Sequence, residues 1–183
     1  LAGVRLRLGL GAIPRSWSED WHGIPYTDPV ERMRDYVGAI RAAWRSRPGE
    51  PVDYAGSHYS FTGYQRPAPP SGVPIPLYLG ASRRRMTELA GELADGIVLS
   101  SLTTLRLLHE LAWPALERGF ARAGRTRESF EVGSVVFSAI SDDPDEARDL
   151  MRLCVAHHAA RFPDLTVKAG FAGALEAIGT AVA

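Results

Sequence analysis

Four times along this chain a short apolar run gives way to a segment of helical periodicity, with no hairpin-linked second strand in the framework. Strands joined through helices lie parallel, and a parallel sheet needs those helices to cover it, so the alternation restricts the chain to the α/β class. The first run, Val4 to Leu10, alternates apolar with other residues and meets Gly11, as a strand ending in a glycine turn does. Asp28-Pro29-Val30-Glu31 then combines a capping residue, a proline suited to the first helical position and an acid three residues on. Val30, Met33, Val37, Ile40 and Trp44 follow at spacings of three and four, predicting one apolar stripe on a helix that Pro48-Gly49 stops.

Residues 49–74 are rich in Gly, Pro, Ser and aromatics and read as an irregular insertion with room for one short hairpin. Ile75 to Gly80 form the next expected strand; Met86, Leu89, Ala90 and Leu93 mark its helix, and Asp95-Gly96 closes the unit. Ile97-Val98-Leu99 is wholly apolar, the pattern of a strand buried on both faces. Ser100-Ser101 leads into a helical stretch reaching Gly124, which Pro114 should kink or divide. Phe130 to Ile140 holds the last strand, with its core at Val135, Val136 and Phe137, and Asp143-Pro144-Asp145-Glu146 repeats the helix-start signal before Leu150 and Met151. Four such units are roughly half of a closed eight-stranded barrel of about 250 residues. Periodicity alone leaves an open doubly wound sheet as the alternative.

A chain of 183 residues, 45% of them hydrophobic, can bury one core. Its 21 basic and 21 acidic side chains give no charge excess for nucleic acid or an anionic membrane, and neither is an expected partner. The single cysteine, Cys154, cannot form an internal disulfide, so the expected compartment is the reducing cytoplasm. No apolar run approaches membrane-span length. His157 and His158 are adjacent on an expected helix and the other histidines lie in unrelated segments, so no metal site is expected. The chain opens in strand-like sequence without a Met and stops in Ala-rich sequence, hence the expectation that residues 1–183 are a single fragment of a larger domain.

Gly9-Leu10-Gly11-Ala12-Ile13-Pro14 begins like a dinucleotide-binding turn, but the third glycine is missing and the helix starts only at Asp28. A strand end whose small residues admit something flat fits better. Gly80-Ala81-Ser82 stands between a strand and a helix, where free backbone N–H groups and the helix dipole favour an anion such as phosphate. Arg83-Arg84-Arg85 puts three cations in a first turn, a conflict that nearby negative charge would relieve. The alternative has the arginines extending into solvent and Ser82 serving as an ordinary cap. Trp17 and Trp21 could line a pocket mouth or pack on other groups. No nucleophile elbow, phosphate loop or paired-carboxylate spacing stands out.

The run from Pro74 through Gly80-Ala81-Ser82, Leu89-Ala90-Gly91-Glu92-Leu93-Ala94-Asp95-Gly96 and Ile97-Val98-Leu99 resembles the luciferase-like oxidoreductases. Leu8-Gly9-Leu10-Gly11, Trp21-His22-Gly23-Ile24-Pro25 and the helix from Pro29 to Arg41 are similar to the family's preceding segment, especially in its deazaflavin-dependent reductases. Ala123-Gly124-Arg125 and Asp142-Asp143-Pro144 extend the likeness to about residue 160. The resemblance implies a partial (β/α)8 TIM barrel, approximately strands 4 to 7 with their helices. It also implies hydride transfer between coenzyme F420, or alternatively FMN, and a small-molecule organic substrate, with oxygen-using monooxygenases among the relatives. On that basis Gly11, Ala12 and Ile13 approach the ring system, while Gly80, Ala81, Ser82 and Ser100 bind the phosphate-bearing tail. Sugar-phosphate-oxidising relatives carry an acid a few positions after the first glycine pair, where this chain has Pro14 and Arg15, which argues against that substrate class. No catalytic residue is assigned, since the family's proton-transfer groups belong to strands before residue 1. A homodimer of the full-length protein stays open. The competing reading is a non-catalytic barrel relative that has lost its cofactor pocket.

Overall fold

The computed structural model describes residues 6–70 and 72–182, with backbone alone from 179 onward. The first strand, β1, is Leu8–Gly11, and Val4 and Arg5 of the expected strand lie outside the described residues. A short π-helical turn at Trp17–Trp21 precedes α1, Pro29–Arg45. The insertion contains the hairpin β2, Val52–Ala55, and β3, Ser60–Tyr64. The framework resumes with β4, Leu77–Ala81, α2, Arg84–Leu93, and β5, Gly96–Leu99. The stretch to Gly124 is divided as Pro114 requires: a turn at Leu105–Leu107 (α3) and a π-helical segment at Leu108–Ala112 precede α4, Trp113–Ala123, which holds Pro114 in its first turn. The strand β6, Glu131–Ser134, and the helices α5, Pro144–Arg161, α6, Pro163–Lys168, and α7, Ala172–Val182, complete the order.

The sheet runs β1-β4-β5-β6, all parallel, with each framework strand beside its predecessor. A doubly wound sheet reverses its strand order at a switch point and carries helices on both faces. Neither holds here. Leu8, Leu10, Leu77, Leu79, Ala81, Ile97 and Leu99 point to one face and pack with Met33, Val37, Leu89, Leu116 and Phe120 from the helices. The other face carries Gly9, Gly11, Tyr78, Gly80, Gly96, Val98, Glu131 and Gly133, read from the pairing register. A one-sided parallel sheet in sequential order is a barrel wall, and the uncovered side is its interior.

Three expectations are corrected. Val98 is 36% exposed while Ile97 and Leu99 are buried, because Val98 faces the interior side between Gly80 and Gly133, whose missing side chains leave it uncovered. Val135, Val136 and Phe137 lie beyond β6 and are exposed; Val135 N–H still donates to Leu99 O, but β5 ends there and offers no further partner. The third concerns the two Asp-Pro signals, which end differently. Asp143, with extended backbone, accepts from Asp145 N–H at 2.9 Å and caps α5. Asp28 adopts a left-handed conformation, φ 40°, and makes no side-chain cap, so the proline alone marks the start of α1.

The tightest helix contact joins α2 and α4. A Cβ on Gly91 would lie 2.6 Å from Leu116 O, and one on Gly119 would overlap Glu88 O. Around this seam Glu88, almost buried, receives Arg118 at 2.7 Å and Arg122 at 3.2 Å, while Glu92 pairs with Arg34 of α1. Burial pushes the Glu88 carboxyl up, but the hydrogen bond and charge of Arg118, with Arg122 and Arg84 behind it, outweigh burial and hold it below the ordinary value. The hydrogen bond from Arg34 likewise holds Glu92 low. A carboxyl lowered on folding adds stability that is fully present above the unfolded value near 4.5 and is lost as pH falls through the folded value. The melting temperature should therefore be level from neutral pH to about pH 5 and fall below it. Glu88→Gln should flatten that acid limb in thermal melts, and an unchanged limb would show that other carboxylates set it.

Candidate cofactor cleft and the family

Parallel register places Gly11 directly beside Gly80 at the C-terminal ends of their strands. A Cβ built on Gly9 or Gly11 meets nothing within 4 Å, one on Gly80 meets only Leu10 O at 3.5 Å and Gly11 Cα at 3.8 Å, and one on Gly133 only Ile97 O at 3.8 Å. Four interior positions of the sheet thus carry no side chain, a cradle that larger residues would fill. Barrel enzymes carry their chemistry at this end of the strands.

Toward the N-terminal ends a polar tie that the sequence did not reveal crosses the interior face. Tyr78 donates its hydroxyl to Glu131, which also pairs with Arg7 at 3.1 Å. Gly96 makes this possible, because a Cβ there would overlap the Tyr78 ring as it crosses toward β6. The Tyr78 hydrogen bond, aided by Arg7, holds the Glu131 carboxyl below its usual range, and burial, with the Glu131 bond, raises the Tyr78 phenol. Only the four-strand register brings these residues together, so no spacing in the sequence could have announced them.

The expected site residues fall into three groups. Gly11 and Gly80 form the cradle. Ala12 and Ile13, together with Gly11, line a cavity of about 330 Å³ against Tyr26, Arg32, Tyr36 and Tyr59. Ser82 and Ser100 share a recess with Thr87 and Thr103, while the Ala81 side chain is buried in the core and offers the site only its backbone. Leu165 of α6 closes that recess to about 10 Å³, room for roughly one water.

Part of the arginine conflict is met by protein carboxylates: Arg83 pairs with Asp164 of α6, and Arg84 lies 3.7 Å from Glu88. Helix α2 begins after Arg83, and Ser82 is not its cap. Trp17 and Trp21 stack on each other, with ring centroids 4.7 Å apart, rather than lining the cavity, and Arg161 sits over Trp17. Among the described residues no group of three or more His, Cys, Asp or Glu could hold a metal ion, and no helix is long and apolar enough to cross a membrane.

Comparison with known proteins agrees with this architecture. The chain is similar to the 5,10-methylenetetrahydromethanopterin reductase of Archaeoglobus fulgidus, 32% identical over 89% of this chain and 47% of that one. It is also similar to the F420-dependent glucose-6-phosphate dehydrogenase of Beutenbergia cavernae, 36% identical over 82% of this chain and 44% of that one. The solved coenzyme F420-dependent tetrahydromethanopterin reductase of Methanopyrus kandleri superposes with a TM-score of 0.74 at 23% identity, over 89% of this chain and 50% of that one, a likeness of fold. The chain spans about half the length of the curated relatives it matches. The model of luciferase-like monooxygenases matches residues 1–181, and with the one-sided parallel sheet of a partial (β/α)8 barrel this establishes that the chain belongs to the luciferase-like monooxygenase family.

Proposed function

We propose that this chain is the part of an F420-dependent oxidoreductase that supplies one wall of the cofactor cleft, residues 1–183 being one segment of a larger barrel domain. The observation that carries the reading is the bare backbone at Gly9, Gly11, Gly80 and Gly133, which gives a planar ring system room to lie against the strand ends. When bound, the deazaflavin exchanges a hydride with an organic substrate; FMN is the alternative cofactor. This chain's own residues would position and shield. Gly11 and Gly80 admit the ring, and the tie of Tyr78, Glu131 and Arg7 limits how deep it sinks.

Ser82 and Ser100 are the groups to hold the phosphate-bearing tail, since both residues line one recess at adjacent strand ends. A phosphate there requires α6 to move off the recess, with Arg83 released from Asp164. Glycines rather than bulky side chains at these positions are the opposite of what a relative with filled strand ends would have, and they favour the enzyme reading. Similarity to both methanopterin reductases and a sugar-phosphate dehydrogenase supports the cofactor more than any substrate.

Fluorescence titration of the full-length protein with F420, and in parallel with FMN, tests this. Tight F420 binding that the double change Ser82→Ala and Ser100→Ala weakens about tenfold, some 1.4 kcal/mol, is the expected result. Binding of neither cofactor would overturn the reading.

A further inference from the structure

We infer that the cavity at the head of α1 binds a small aromatic anion, a one- or two-ring carboxylate, as the substrate or a part of it. Naming it as substrate rests on the cofactor reading above; the binding itself does not. The cavity, about 330 Å³, is at the lower end of the range for ligand pockets and suits about two fused rings. Tyr36 and Tyr59, with ring centroids 5.0 Å apart, form one wall, and Ile24 and Met33 add apolar surface. Gly11 lies at its edge, so a ligand here borders the strand end assigned to the cofactor ring.

Arg32 is the cation of this lining. Three acids near it are engaged elsewhere. Glu31 pairs with Arg34 at 3.4 Å, and Glu19 takes Arg15 at 2.9 Å and Tyr26 N–H at 3.1 Å. Asp35 accepts the Tyr54 hydroxyl at 2.6 Å and the N–H groups of His58 and Tyr59. Asp28, one turn before Arg32, makes no ion pair with it among the described residues. Arg32 itself reaches only Pro25 O, at 3.4 Å, a long hydrogen bond. A half-buried guanidinium beside aromatic walls, with no carboxylate partner among the described residues, matches a ligand that brings both the ring and the negative charge. A bare phosphate would leave the aromatic wall unused, and a neutral ring would leave the cation unmatched.

The test uses the full-length protein, with 2-naphthoate and its neutral analogue 2-naphthalenemethanol titrated by calorimetry. Naphthoate should bind at least about tenfold more tightly than the alcohol. Arg32→Gln should erase that difference, and Tyr36→Ala, at an exposed position, should weaken both ligands alike. Saturating F420 should leave naphthoate binding in place. Equal affinity of the wild-type protein for the two probes, or competition with F420, would overturn the inference, as would a folded Arg32→Gln variant that keeps the preference. If that variant does not fold, the wild-type comparison and Tyr36→Ala still decide. Failure of F420 to bind, with naphthoate discrimination intact, would remove the cofactor reading and leave this site standing.

Discussion

Leucine in place of Gly80 is expected to lower F420 affinity by at least about 100-fold, some 3 kcal/mol, while leaving the melting temperature within a few degrees of the parent. The two halves of this result have separate causes. A Cβ at position 80 makes only ordinary contacts, 3.5 Å to Leu10 O and 3.8 Å to Gly11 Cα, so the backbone has no reason to move. Replacing a strand glycine also removes its entropic cost on folding. The rest of the side chain projects into the space proposed for the ring. Gly11→Leu should act in the same direction, since its built Cβ meets nothing within 4 Å. Fluorescence titration and thermal melts on the same samples give both readouts. Undiminished binding would move the cofactor away from this strand end, whereas a collapse in stability would show that the glycine serves packing.

The opposite pattern should follow at the helix seam. Gly119→Val is expected to cost about 3 kcal/mol or more, the upper range for forcing extra atoms into a packed core, and to lower the melting temperature by several degrees. The obstructing groups are backbone: Glu88 O would be overlapped and Glu92 N would lie 2.8 Å from the new Cβ. A side chain could rotate away, but a helix backbone can yield only by separating α2 from α4. That separation would also pull Glu88 from Arg118 and Arg122, which are held across the same seam. Chemical denaturation of the full-length protein measures the loss. A melting temperature unchanged by valine would mean that the two helices do not approach as closely as their glycines allow.

These two glycines also mark where sequence reading stops. Gly80 stood out because it falls between an apolar run and a helix start, a local signal. Gly119 sits inside a helix with nothing local to distinguish it, and its role exists only because α2 crosses there. The same division runs through the site. Ser82 and Ser100 were legible as strand-end residues, and the structure does bring them to one recess, but that Leu165 closes it depends on how α6 returns to the sheet. Arg32 was hidden among the polar residues of an amphipathic helix, and the groups that engage its neighbour Asp35 come from the insertion, through Tyr54, His58 and Tyr59.

By itself the sequence determined the alternation of strands and helices, because period and capping chemistry act over a few residues, and the strand-end glycines, because they follow directly from that alternation. It determined the core-facing apolar stripe of α1 for the same reason. Tertiary structure alone decided which face of each strand is covered, where pairing stops at Ser134, and that Tyr78 meets Glu131 and Arg7 across Gly96. Each of these depends on the register of a neighbouring strand distant in sequence, and a one-residue slip would send every side chain to the other face.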